Sequence, residues 1–172
     1  MLVIDRFPFK IQTFSILLLA APFLIGCSDE THPESVPIET QKNAYFPIQI
    51  GSKIVYLQLA IQPGEKAIGL MFRKQLARDH GLCFLSDRPK QQSFWMRNTQ
   101  IPIDLAHFGA DGILVEIQQL YPYDETPVKS HHHEVLYSIE MNQGWFKRHK
   151  IKTGSRLHLN MLQQAIATRG GL

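Results

Sequence analysis

A chain of 172 residues with 44% hydrophobic and 19% charged side chains is long enough for one ordinary core and too apolar for a disordered protein. Its formal net charge of +3 is too weak a field to hold a nucleic-acid backbone. Two cysteines exclude a disulfide framework.

The amino terminus carries the sharpest signal. Met1 to Lys10 holds Arg6 and Lys10, Ile11 to Ile25 has only Gln12, Thr13 and Ser15 as polar residues, and Leu24-Ile25-Gly26-Cys27 follows. An apolar stretch that short falls below the roughly 20 residues that span a bilayer, and it suits the core of a signal peptide. The final four residues resemble the lipobox, in which a lipid is attached to the cysteine sulfur and the chain is cut just before it. Residues 1–26 are therefore expected to be a signal peptide, with lipidation at Cys27 and the domain held on the periplasmic side of a membrane. Ser28 stands where an Asp resembles an inner-membrane retention signal, which points to the outer membrane. Cys83 then has no partner, and inside Gly81-Leu82-Cys83-Phe84-Leu85 it is expected to be a buried, unreactive side chain.

From Ser28 to Asn43 there are two Pro, three Glu and no apolar period, which reads as a tether over residues 27–43. Fully extended, such a stretch reaches roughly 50 Å. Beyond it come short runs of β character. Phe46 to Ile50 and Lys53 to Ile61 flank the two-residue hairpin turn Gly51-Ser52. Pro63-Gly64-Glu65 opens a helical stretch in which Ile68, Met71 and Phe72 share a side, and a second small helix is expected around Lys74 to Asp79. Strands are expected at Leu82 to Leu85, Ser93 to Asn98, Ile103 to Phe108, Ile113 to Gln118, Val135 to Met141 and Ser155 to Leu159. Gly109-Ala110-Asp111-Gly112 forms a turn, and Tyr121 to His133 a long connection. This pattern predicts a mainly β domain over residues 44–160, a small antiparallel β-barrel or jelly-roll-like sandwich with one or two short helices. Residues 161–172, ending in Arg169-Gly170-Gly171-Leu172, are expected to fray.

A series of short motifs carries a resemblance: Gly69-Leu70-Met71-Phe72-Arg73, Gly81-Leu82-Cys83-Phe84, Phe94-Trp95-Met96-Arg97-Asn98-Thr99, Ile101-Pro102-Ile103-Asp104 and Ile139-Glu140-Met141-Asn142-Gln143-Gly144-Trp145. In order and spacing they resemble the domain-of-unknown-function 192 family, also called uncharacterised protein family 0127, over about Ile54 to Leu159. The resemblance implies a compact, mainly β, jelly-roll-like fold, brings no assigned activity with it and leaves function open. The chain departs from the family at Leu82-Cys83, where Met-Leu is usual, and at Ser130-His131-His132-His133-Glu134, which is its own.

Two readings of the central motifs stay open. In one, Asn98 and Thr99 cap the turn before Pro102 and Asp104 satisfies nearby backbone. In the other, Arg73, Trp95, Asn98, Thr99 and Asp104 line a ligand cleft with Glu140, Arg73 facing an anionic group and Trp95 forming a flat wall. Asp104 and Glu140 are also the candidate acid and base of a hydrolase or lyase. On a strand His131 and His133 would share a face and could hold Zn²⁺ with Glu134 or Asp124, yet no metal-binding motif accompanies them. Phosphate-loop, dinucleotide and G-x-S-x-G fingerprints are also missing, so no cofactor is implied. Trp145 to Lys152 is a basic run with two aromatics, read as a solvated turn or a lipid contact, with Trp145 in the core. The sequence favours a non-catalytic, monomeric envelope lipoprotein that binds a small anionic ligand or an envelope protein. The alternatives are a hydrolase or lyase using Asp104 and Glu140, and a metal-handling lipoprotein using His131 and His133.

Overall fold

The computed structural model describes residues 43–170. The expected signal peptide, Cys27, all of the expected tether but Asn43, and the last two residues lie outside the described residues. Among the described residues eight strands form: β1 (Phe46–Ile50), β2 (Lys53–Ala60), β3 (His80–Lys90), β4 (Ser93–Phe94), β5 (Ile103–Phe108), β6 (Leu114–Leu120), β7 (Val128–Lys129) and β8 (Val135–Asn142). Three helices accompany them: α1 (Pro63–Ile68), α2 (Trp145–Arg148) and α3 (Leu159–Thr168). Strand takes 41% and helix 16%, so the domain is mainly β as expected.

Six strands make one mixed sheet in the order β1-β2-β3-β8-β5-β6, while β4 and β7 form a separate ribbon. Of the expected antiparallel barrel or jelly-roll-like sandwich, the closed barrel does not form and one strand pair is parallel. Alpha-helix α1 carries the chain back to the start of its sheet, so β3 runs parallel to β2, whereas the remaining neighbours are antiparallel. The sheet also stays open. The segment expected as the strand Ser155 to Leu159 is reduced to two isolated bridges, Ile50 with Leu157 and Ile113 with Arg156. It wedges between the edge strands: His158 N donates to Gln49 O and Leu157 N to Gly112 O.

Because side chains alternate along a strand, the sheet buries a core on each face. One holds Val55, Leu57, Leu59, Cys83, Leu85, Phe108, Ile139 and Met141 against Trp145, Phe146, Leu162 and Ala165. The other packs Leu82, Phe84, Ile103 and Leu105 under Leu70, Leu76, Met96 and Ile101. Cys83 is fully buried, and desolvation pushes its thiol up to about 12. Gly81 lets the central strands close on each other: a Cβ there would lie 2.5 Å from the Glu140 carbonyl oxygen and 2.8 Å from Leu57 Cδ2.

Local structure departs from expectation where left-handed backbone intervenes. Helix α1 stops at Ile68 because Gly69 turns to φ +51°, so Met71 and Phe72 leave the helix, and no helix forms over Lys74 to Asp79. The expected strand from Ser93 ends at Phe94, since Met96 N bonds to Asp124 O and Asn98 takes φ +51°. The tail expected to fray from residue 161 is helical to Thr168. Leu162 and Ala165 are buried, and Arg169 pairs with the Glu65 carboxylate.

Candidate functional site

Three loops meet over the second core. Phe72 N donates to Asn98 O at 2.9 Å, Tyr123 N to Thr99 O at 3.0 Å, and Gln100 Nε2 to Arg73 O at 3.1 Å. These bonds fasten the turns at 69–73, 95–100 and 121–124 into one rim. Among the described residues, three of the four non-glycine residues with positive φ lie on it: Phe72 at +64°, Asn98 at +51° and Tyr123 at +62°. A left-handed Phe or Tyr is strained, by about 1–3 kcal/mol, and such strain persists where the surroundings enforce it, commonly at binding sites. The rim also exposes large apolar side chains: Phe72 at 73%, Tyr123 at 63%, and Ile68, Trp95 and Tyr121 about half. Contiguous exposure of this kind marks a contact surface.

Beside the rim lies a cleft of about 210 Å³. Ile68, Leu70, Phe84, Phe94 and Trp95 supply apolar walls, while Lys66, Ser86, Gln92, Ser93 and Thr99 supply polar ones. Glu140 forms its floor, only 5% exposed, and its Oε2 has no hydrogen-bond partner. Burial pushes this carboxyl up to about 8, with the Arg73 charge acting in the opposite direction. At neutral pH Glu140 therefore carries a proton and can donate it in a hydrogen bond.

Of the residues expected at a cleft, Trp95, Thr99 and Glu140 line this one. Asn98 contributes backbone to the rim, and Thr99 Oγ1 donates to Arg97 O at 3.1 Å, a local turn bond. Arg73 lies next door, in a hollow with Gln58, Glu65 and Ile68, and its Nη1 donates to the Tyr45 hydroxyl at 3.2 Å. Asp104 is elsewhere altogether. In the β5–β8 register Leu105 faces Glu140 and Asp104 faces Met141, so the two carboxylates project from opposite faces of the sheet. Asp104 Oδ2 accepts from Gly144 N at 2.8 Å and anchors the entry to α2, and burial raises its carboxyl above the ordinary range. An acid–base pair of Asp104 and Glu140 cannot act on one bond across a sheet.

The histidines do not converge either. His131 gives its backbone N–H to Glu116 Oε2 at 2.9 Å, and its Nδ1 meets Glu116 Oε1. Asp124 accepts from Thr126 N. Among the described residues no three His, Cys, Asp or Glu side chains gather as a metal site would need. His107, which the sequence reading passed over, is buried between Ser138 Oγ at 2.9 Å and Gln118 Oε1 at 3.2 Å, and burial lowers its pKa. The reading also missed Lys66, Ser86, Gln92 and the exposed Phe72, Tyr121 and Tyr123. Aromatics within Pro- and Gly-bearing turns were the available signal.

The family model described as Uncharacterized ACR, DUF192, matches residues 46–159. The chain belongs to the DUF192 family. Two solved structures are similar to this DUF192 domain. One is a protein of unknown function from Novosphingobium aromaticivorans DSM 12444, 34% identical, with a TM-score of 0.63, covering 66% of this chain and 84% of its own. The other, from Sinorhizobium meliloti 1021, is provisionally described as a transcription regulator. It is 30% identical with a TM-score of 0.62, covering 67% of this chain and 92% of its own. No curated protein is a significant match.

Proposed function

We propose that this DUF192 domain is a non-catalytic ligand-binding module of the bacterial cell envelope, tethered to the membrane by lipid on Cys27. The observation that carries the binding role is Glu140: a buried carboxyl with an unpartnered oxygen, at the floor of a cleft whose rim is strained and aromatic. Leaving such an oxygen unpaired costs about 1–3 kcal/mol, which a bound donor would recover. One carboxyl alone in the cleft supports holding a molecule rather than cleaving it, since the second candidate, Asp104, stands behind the sheet. The transcription-regulator description of the Sinorhizobium neighbour is not carried over, because a net charge of +3 is too weak a field to hold a phosphate backbone.

Native mass spectrometry of the chain purified from the cells that make it tests the binding role. The wild type should carry a small-molecule adduct that Trp95→Ala and Glu140→Leu lose. A bare wild-type mass, or an adduct indifferent to both substitutions, overturns the reading. The support for the anchor is the charge, apolar core and Leu24-Ile25-Gly26-Cys27 of the amino terminus. Labelled palmitate should enter the wild type and not Cys27→Ser, and globomycin should accumulate the uncut precursor. An unlabelled wild type removes the anchor and leaves the cleft untouched.

A further inference from the structure

We propose that the occupant of the cleft is an uncharged, hydroxylated ring of the saccharide class, seated against the aromatic rim and hydrogen-bonded to Glu140. The inference rests on the reading of the cleft as a binding site and adds the chemistry of what enters it.

Size sets the first limit. At about 210 Å³ the cleft is smaller than the 300–1,000 Å³ of pockets that take drug-sized molecules, so it admits a single ring with its substituents. The walls set the second. Trp95, Phe94, Phe84, Ile68 and Leu70 offer apolar surface, and the negative face of an aromatic ring attracts slightly positive C–H groups. Opposite chemistry comes from Ser86, Gln92, Ser93 and Thr99: the Gln92 amide donates to Ser86 Oγ at 2.6 Å and Thr99 Oγ1 to Arg97 O, which leaves the Ser86 and Ser93 hydroxyls to donate and the Gln92 and Thr99 oxygens to accept. A pyranose-type ring has C–H faces and a hydroxyl edge, and matches both walls at once. A purely apolar ring would leave the Glu140 Oε2 unpaired in the floor.

Charge weighs against a cation, and the lack of a guanidinium fork against a tightly held anion. A cationic ligand would meet Lys66 in the wall, the Arg73 charge felt at Glu140, and Arg97, whose guanidinium carbon lies 5.7 Å from the Trp95 ring centre. An anion finds no guanidinium fork in the cleft, because Arg73 is bonded to Tyr45 in the neighbouring hollow. A hydroxyl can serve Glu140 as donor or acceptor, whichever protonation state holds.

Binding would proceed without cleavage. Glycoside hydrolysis commonly takes two carboxyl groups about 5 to 9.5 Å apart and both facing the scissile bond, and here the second carboxylate faces away. Tyr121 and Tyr123, exposed on the loop stitched to Thr99, extend the aromatic surface beyond the cleft, so a chain of several rings fits better than one.

The test is a titration of the full chain, in detergent, followed by tryptophan fluorescence and calorimetry. The probes are cellotetraose, maltotetraose, chitotetraose and glycan fragments released from bacterial cell wall by a muramidase, with benzoate and benzylamine as charged controls. At least one saccharide should bind saturably and remain intact by mass. Trp95→Ala and Glu140→Leu should each weaken binding about tenfold or more, Glu140→Gln should retain most of it, and Tyr56→Ala, on the other aromatic patch with Tyr45 and His80, should change nothing. Near-ultraviolet circular dichroism confirms that each variant is folded. No saturable saccharide binding, or binding indifferent to Trp95→Ala, overturns the saccharide assignment. If benzoate or benzylamine binds instead, with the same dependence on Trp95 and Glu140, only the ligand class falls. If no probe binds and the native chain carries no adduct, the binding cleft itself falls, and a cleaved saccharide overturns the non-catalytic reading.

Discussion

Glu140→Gln should flatten much of the pH dependence of stability between about pH 4.5 and pH 8. The wild-type carboxyl moves from an ordinary 4.5 to about 8 on folding, chiefly because burial disfavours its charge. Below pH 4.5 it is protonated in both states and contributes no charge penalty. Between the two values the unfolded chain releases the proton while the folded chain keeps it, so stability falls as pH rises. Above about 8 both states are ionised and the full penalty remains. At about 1.4 kcal/mol per unit, the penalty is on the order of 5 kcal/mol before water entry and relaxation reduce it. His107 acts with the opposite sign: burial keeps it neutral, so protonation of the unfolded chain destabilises the fold as pH drops through the imidazole range. The difference between wild type and Glu140→Gln isolates the carboxyl, because His107 is common to both. Urea midpoints measured from pH 4 to pH 9 should diverge steadily with pH, the variant being the more stable at pH 9. Parallel curves would mean that Glu140 ionises normally, inside water that reaches the floor of the cleft.

Trp145→Ala should cost about 3–5 kcal/mol, and Trp145→Phe about 1–2. The indole is fully buried at the start of α2, edge-on to Phe146 at 5.1 Å, and its Nε1 donates to Asp79 Oδ1 at 2.9 Å. Truncation to Ala would open a cavity in the first core and leave the Asp79 carboxylate with only His149, 3.7 Å away. The phenylalanine variant keeps most of the packing and loses the hydrogen bond. Guanidinium unfolding gives the comparison, with midpoints ordered wild type, Phe, Ala at unchanged slope. A loss below 1 kcal/mol for Ala would show that this end of the sheet repacks freely.

Much of the fold was legible in single residues. Gly51-Ser52 and Gly109 to Gly112 turn their hairpins as expected, with Gly51 at φ +57° and Gly112 at +74°. The β character of Lys53 to Ile61 and of Val135 to Met141 marked strands that lie in the core, and Trp145 was placed in the core from its setting. The carboxy-terminal helix was missed although Leu159, Leu162, Ala165 and Ile166 recur at helical spacing. The glycines at 170 and 171 drew attention to fraying, and the burial of Arg169 against Glu65 has no local signature. Within the site, Trp95 and Thr99 stood out as part of one motif. Lys66, Ser86 and Gln92 did not, because each comes from a different element and is unremarkable in its own stretch.

Local chemistry in the chain itself determined most of the strands, where the hairpin turns fall, that Cys83 is buried and that the domain is mainly β, because alternation, glycine geometry and apolar run length act over a few residues. Tertiary structure alone decided that β3 runs parallel to β2, that the sheet stays open, and that Asp104 and Glu140 part company. Thirty-six positions apart along the chain, those two carboxylates occupy adjacent strands. A register shift of one residue would have put them on the same face. No local pattern sets that register; it follows from the packing of two cores against one sheet.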